Sequence, residues 1–184
     1  TIYRAGSYQG FIAKMDTNGH VLWVVQHDRI VIYDCESDAI GNIYFTGYNV
    51  SNTFLGVSNA FPYKAQMFIA KYTPGGALSL YRAVGGGNAV NVIPLNIAVS
   101  PSGQVAVSGY YYDGNLGFPG FGNLGTAVNN DGFLCKWNNG FTAVNWAVGI
   151  FSPSNGYGRG VDFDLSGNIY LSGYANGNTM TLSG

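Results

Sequence analysis

The sequence predicts an all-β domain over residues 1–184, built from three four-stranded antiparallel sheets, and three observations predict it. The first is composition: 28 Gly and 14 Tyr stand beside only 9% charged residues, where an ordinary soluble domain carries roughly 25%. Glycine supplies the positive φ of tight turns and aromatics suit a pleated, half-buried surface, whereas solvated helix faces need far more Lys, Glu and Arg. The second is repetition. Gly41-Asn42-Ile43-Tyr44-Phe45-Thr46-Gly47-Tyr48 returns as Gly103-Gln104-Val105-Ala106-Val107-Ser108-Gly109-Tyr110 and as Gly167-Asn168-Ile169-Tyr170-Leu171-Ser172-Gly173-Tyr174, at spacings of 62 and 64 residues. The third is a motif that keeps step with it, Phe11-Ile12-Ala13-Lys14, Phe68-Ile69-Ala70-Lys71 and Phe133-Leu134-Cys135-Lys136.

Along the chain, residues 1–8 match the end of the first motif and read as the last strand of a preceding unit. The first unit is 9–48. Its strand a starts at Phe11, and the turn Asp16-Thr17-Asn18-Gly19 leads to strand b, centred on Trp23. Strand c begins at Ile30, and the turn Asp38-Ala39-Ile40-Gly41 leads to strand d, which ends at Tyr48. In such turns a leading Asp accepts local backbone N–H bonds and a closing Gly takes positive φ. The second unit is 66–110 and the third 131–174, with 49–65 and 111–130 as long loops between units. Gly47, Gly109 and Gly173 each follow Thr or Ser, which predicts close approach by a neighbouring strand or positive φ there.

Val21-Leu22-Trp23-Val24-Val25 is apolar on both faces. A sheet with one wet face alternates, so such strands belong to small sheets stacked between neighbours. Four strands per stacked unit is the blade of a β-propeller; a β-trefoil, with its pseudo-threefold, is the alternative. The motifs are similar to the bacterial β-propeller repeat family often abbreviated SBBP. Phe11-Ile12-Ala13-Lys14, Gly19, Trp23, Asp38, Gly41, Asn42, Tyr44, Thr46, Gly47 and Tyr48 carry the resemblance, with Leu80 and Ala106 departing from it. The resemblance implies blades and specifies no activity. Three units fall short of the roughly four to eight blades that close a ring. The chain is therefore expected to be part of a larger propeller or to need further copies that complete the ring.

Little in the sequence points to catalysis. His20, His27 and Glu36 stand outside any nucleophile elbow, zinc-protease pair, Walker loop or dinucleotide fingerprint. A propeller lyase or hydrolase would need a convergent cluster that the sequence does not display, so no enzyme activity and no cofactor is expected. His27-Asp28-Arg29 reads as a solvated corner, and Gly85-Gly86-Gly87-Asn88 follows no βα unit. Cys135 aligns with Ala13 and Ala70, and Cys35 with Ile97 and Val161, so both are expected buried, unpaired and metal-free. The recurring Lys14, Lys71 and Lys136 are placed to pair with acids or cap turn carbonyls. The net charge of −1 without a basic cluster argues against nucleic acid, and no apolar run is long enough to insert in a membrane. Asn49-Val50-Ser51 is a glycosylation sequon.

Antiparallel order puts the d–a and b–c connections on one side and the short turns on the other. The long loops carry Phe61, Tyr63, Tyr111, Tyr112, Asp113, Phe118, Phe121, Tyr157 and Arg159 among Gly and Asn. Rigid aromatics with adaptable polar neighbours suit recognition. The expected function is a non-enzymatic structural or protein-interaction module, on an extracellular, cell-surface or virion assembly; the alternative is a glycan-binding propeller.

Overall fold

The computed structural model describes residues 8–50, 53–54, 57–58, 65–84 and 90–184. All regular structure among these is β. Strands a to d of the first unit are β1 (Gln9–Met15), β2 (Val21–Asp28), β3 (Ile30–Ser37) and β4 (Ile43–Asn49), and a short pair, β5 (Thr53–Phe54) and β6 (Val57–Ser58), follows. The second unit is β7 (Gln66–Tyr72), β8 (Leu78–Val84), β9 (Asn91–Val99) and β10 (Val105–Tyr112). A hairpin of β11 (Asn115–Phe118) and β12 (Gly122–Thr126) separates it from β13 (Asp131–Trp137), β14 (Val144–Phe151), β15 (Gly156–Phe163) and β16 (Ile169–Ala175). Last comes β17 (Thr181–Ser183). The twelve expected strands are present, and the turns between a and b and between c and d fall where Asp and Gly placed them.

The grouping of strands into sheets corrects the expectation. Sheet I is β1-β2 alone, sheet II is β3-β4-β7-β8, sheet III is β9-β10-β13-β14 with β17 on its outer edge, and sheet IV is β15-β16 alone. Each complete sheet thus runs c-d-a-b across two sequence repeats, and 9–48, 66–110 and 131–174 are each split between two sheets. The reason lies in the connections. Strand d returns to the next strand a as a direct neighbour, with Gly47 opposite Phe68 and Gly109 opposite Phe133, so 49–65 and 111–130 are hairpin loops within a sheet. The chain changes sheet between b and c, where Arg29 alone, at φ 58°, separates β2 from β3.

Three apolar layers lie between the four sheets. Ile12 and Trp23 of sheet I meet Phe45, Phe68 and Tyr72 of sheet II. Tyr44, Met67 and Ile69 meet Val107, Phe133, Cys135 and Trp137 of sheet III. Ala98, Ala106, Leu134 and Trp146 meet Val161, Phe163 and Leu171 of sheet IV. The central strands of sheets II and III, β4, β7, β10 and β13, are covered on both faces, which is why they do not alternate.

Each strand c carries a β-bulge at the same place: Tyr33, Leu95 and Arg159 are extra residues opposite strand d. Just before the bulge the backbone crowds strand d. A Cβ on Gly47 would lie 1.9 Å from the Val31 carbonyl oxygen, one on Gly109 2.2 Å from that of Ile93, and one on Gly173 2.0 Å from that of Tyr157. Close approach, not positive φ, explains these three glycines. Just after the bulge, side chains tie one sheet to the next. Asp34 Oδ2 accepts the Ile97 N–H at 2.9 Å and the Asn96 amide, and Asn96 Oδ1 accepts the Val161 N–H at 2.6 Å. Gly160 holds the third such position and has no side chain to continue the series.

One local expectation holds, the burial of Cys135, and three change. Cys135 is buried, accepts a hydrogen bond from Trp137 Nε1 at 3.3 Å, and burial pushes its thiol up to about 12. Cys35 is exposed, although its equivalents Ile97 and Val161 are 2% and 7% exposed, because sheet II presents it toward the side where sheet I has no strand c. Asn49 is 2% exposed and donates to the Tyr81 hydroxyl at 3.3 Å, which removes it as a glycan acceptor in the folded chain. In the third a–b turn the left-handed residue is Phe141 (φ 52°), not the Gly140 that the sequence offers.

Candidate functional site

The site is built by alternation along strand d. In β10, Val105, Val107 and Tyr111 share the face packed into the layer between sheets II and III. Tyr110 and Tyr112 therefore point the other way, and their rings stack at 6.2 Å with planes 17° apart. Tyr48 and Tyr174 occupy the place of Tyr110 in their own units. The strand-c bulge turns Tyr33 and Arg159 out beside them. Tyr33 lies 5.9 Å from Tyr48, Tyr110 meets Tyr157 edge-on at 4.8 Å, and Tyr157 stacks on Tyr174 at 4.8 Å with planes 26° apart. The Arg159 guanidinium sits 5.7 Å from the Tyr157 ring and 5.2 Å from the Tyr174 ring, within cation–π reach. The result is a row of tyrosines crossing sheets II, III and IV near the ends of strands c and d.

Burial and mutual proximity couple the ionisation of the row. Burial raises the Tyr48, Tyr110 and Tyr33 phenols above their ordinary range, and neighbouring phenols raise them further, Tyr33 acting on Tyr48 and Tyr110, and Tyr112 on all three. Burial likewise raises Tyr157, with Tyr174 adding to it and the Asn130 amide opposing. The phenols stay neutral at physiological pH and present flat apolar faces with hydroxyl rims. Loop hydrogen bonds fix the neighbourhood: Asn130 Nδ2 donates to Asn155 Oδ1 at 2.9 Å and to the Tyr157 hydroxyl at 2.8 Å, and Asn91 Nδ2 donates to Asp113 Oδ2 at 3.0 Å.

Of the residues expected on the binding face, Tyr112, Tyr157 and Arg159 are in this row. Asp113 is exposed nearby, in the left-handed region at φ 64°. Tyr111 is instead fully buried, its hydroxyl donating to the Gly125 carbonyl at 3.3 Å, and Phe118 is buried against Phe133. Phe121 packs half-buried on the same layer. These three fasten the β11–β12 hairpin to the core and are not free to meet a partner. Phe61 and Tyr63, like Gly85-Gly86-Gly87-Asn88, lie outside the described residues. Sequence reasoning missed Tyr33, Tyr48, Tyr110 and Tyr174 as site residues, although the repeated Gly-Tyr step was in plain view.

On the opposite side the turns hold themselves together. Asp38 accepts the backbone N–H groups of Ile40 and Asn42, the Asn42 amide and the Tyr44 hydroxyl, and Asp164 repeats this with Ser166, Asn168 and Tyr170. Burial opposes ionisation of Asp38, but the bonds from Asn42, Tyr44 and Ile40 outweigh it and lower its pKa. Lys71 Nζ stands 3.9 Å from Asp38 Oδ2 and 4.9 Å from the Tyr44 ring centre, while Lys14 Nζ caps the Pro74 carbonyl at 3.3 Å. His27 lies 2.7 Å from the Tyr72 hydroxyl, and burial lowers its pKa. Among the described residues, no group of three or more His, Cys, Asp or Glu is arranged to hold a metal ion. No family model matches the sequence, and no curated protein matches it either.

Proposed function

We propose that the chain is a non-catalytic module made of β-propeller blades, and that its tyrosine row docks a protein partner. The observation that carries this reading is the row itself: aromatic faces from three sheets, held by bulges and loop amides, left partly open to solvent. Tyrosine offers large contact area at low conformational cost, the chemistry of antibody contact surfaces. Four stacked antiparallel sheets with their c strands adjacent support the propeller reading, since β9 packs on both β3 and β15. The sparse charge and the exposed Asn, Gly and Tyr suit a packed outer-surface assembly, extracellular, cellular or viral. A second reading has one observation in its favour. The Tyr157–Tyr174 stack, rimmed by Asn130 and Arg159, is the flat platform with polar edge that the CH face of a sugar ring requires.

The two are separated by selecting displayed random peptides and probing immobilised glycans with the same protein. A peptide ligand whose affinity falls by about 1–3 kcal/mol in Tyr110→Ala or Tyr157→Ala, at unchanged melting temperature, is the expected result. A glycan ligand with that sensitivity favours the second reading. Ligands indifferent to both substitutions overturn the site.

A further inference from the structure

We infer that the partner segment taken by the tyrosine row is proline-rich, bound in the polyproline II conformation with an acidic residue beside Arg159. This rests on the docking role proposed for the row and names the chemistry of its partner. Three observations carry it. The first is strand pairing. Tyr48 lies on β4, between β3 and β7, and Tyr110 and Tyr112 lie on β10, between β9 and β13. A partner cannot bind there by adding a strand, so side chains must hold it.

The second observation is a surplus of donors. Among the described residues the Tyr48, Tyr110 and Tyr112 hydroxyls make no hydrogen bond within the chain. The Tyr157 hydroxyl already accepts the Asn130 amide, and the Asp113 carboxylate beside the row already accepts the Asn91 amide. Arg159 has donors only. An α-helix would bring carbonyls bonded to its own N–H groups, and covering the phenols with its apolar stripe would leave their hydroxyls without acceptors. A polyproline II segment has no internal hydrogen bonds, so its carbonyls are free to accept, and proline has no N–H to compete. The third observation is ring geometry. Tyr110–Tyr112 and Tyr157–Tyr174 are stacked pairs, and Tyr110 meets Tyr157 edge-on between them, so flat faces turn at an angle along the row. Rigid pyrrolidine rings dock on aromatic surfaces of this kind. The exposed Arg159 guanidinium is the row's one charge, and a carboxylate flanking the prolines would fix the direction in which the segment lies.

The test titrates the chain with three blocked peptides: decaproline, decaproline carrying a terminal Glu, and a Gly-Ser peptide of the same length. Saturable binding of both proline peptides is expected, with the Glu peptide tighter and no binding of the Gly-Ser peptide. Tyr110→Phe should weaken decaproline about fivefold at unchanged melting temperature, since a hydroxyl–carbonyl bond is lost while the ring remains. Arg159→Gln should erase the advantage of the Glu peptide and leave decaproline nearly unaffected. If decaproline fails while proline-free peptides or glycans bind and are lost in Tyr110→Ala, the proline assignment is overturned and the row remains a docking site. Equal binding of decaproline and the Gly-Ser peptide overturns the assignment as well. If no ligand is sensitive to Tyr110→Ala or Tyr157→Ala, the assignment and the docking site fall together.

Discussion

A single missing carbon decides the packing of strand d. At Gly109 the Ile93 carbonyl oxygen occupies the space a Cβ would need, because the bulge at Leu95 drives that stretch of backbone against its neighbour. β10 cannot withdraw without breaking its ladder with β13, and β9 is packed between β3 and β15. Gly109→Ala is therefore expected to cost about 2–3 kcal/mol, the scale of overpacking, read as a lower denaturant midpoint at unchanged slope. Gly140→Ala is the control. Its φ is not positive and its Cβ would meet nothing closer than Thr142 Cγ2 at 3.8 Å, so a change within about 0.5–1 kcal/mol is expected. Equal losses at the two positions would sink the account. The crowding at Gly47, Gly109 and Gly173 was legible in the sequence, because glycine after Thr or Ser at a strand end has few other reasons to recur. Phe141 was not legible. It holds a backbone shape usually left to glycine because its ring fills the layer between Tyr44 and Trp137, with ring centres at 6.1 and 6.5 Å.

At the scale of the element, one repeated turn explains the most regular stretch of the sequence. The pattern Asp-x-x-Gly-Asn-x-Tyr satisfies a single carboxylate: two backbone N–H groups, the Asn amide and the Tyr hydroxyl converge on Asp38 and again on Asp164, while Gly41 and Gly167 take φ of 82° and 85°. The middle unit keeps the backbone turn with Ser100, which bonds the Gln104 N–H at 2.9 Å. Asp38→Ala should lower stability by about 1–2 kcal/mol, since several donors lose one shared acceptor. Asp38→Asn should fall between, and chemical denaturation of the three proteins would order them. No loss in Asp38→Ala would show that the turn stands on its backbone bonds alone. The turns were readable because their chemistry is local. The assembly of strands into sheets was not, because a tandem repeat is cyclic and any four consecutive strands look like a unit. Loop length suggested a break after d, yet the long loops carry their own hairpins and come straight back, while one residue, Arg29, suffices to leave the sheet.

Across the whole molecule, the tyrosine row links binding to alkaline stability. The Tyr33, Tyr48, Tyr110 and Tyr157 phenols are raised by burial and then by one another. At a pH where the unfolded chain has begun to ionise, near 10 or so, the folded chain still holds these protons. It then binds more protons than the unfolded chain, and stability falls as pH rises. The contribution is complete below that pH and is lost as pH climbs through the folded values. Melting temperatures between pH 8 and 11, or thereabouts, should drop less steeply in Tyr110→Phe than in the parent. Parallel curves would mean that the phenols titrate independently of folding. Half of this site could have been read from parity, since Tyr110 and Tyr112 fall out of step with Val105 and Val107. Taking 111–130 as loop hid that step and promoted Tyr111, the one ring of the three that faces the core. The meeting of Tyr33, Tyr157 and Arg159 depends on bulges and on sheet stacking, which leave no local mark.

The one-residue passage at Arg29 also governs how the molecule would yield to force. Sheet II begins at β3 on one edge and ends at β8 on the other. Tension along the chain therefore acts across the strands, loading hydrogen bonds one at a time in peeling rather than together in shear. Sheets should come away singly at low force, held mainly by their apolar layers and by the Asp34 and Asn96 links. Each event would release about 210 Å of chain, from repeat spacings near 62 residues at about 3.4 Å apiece.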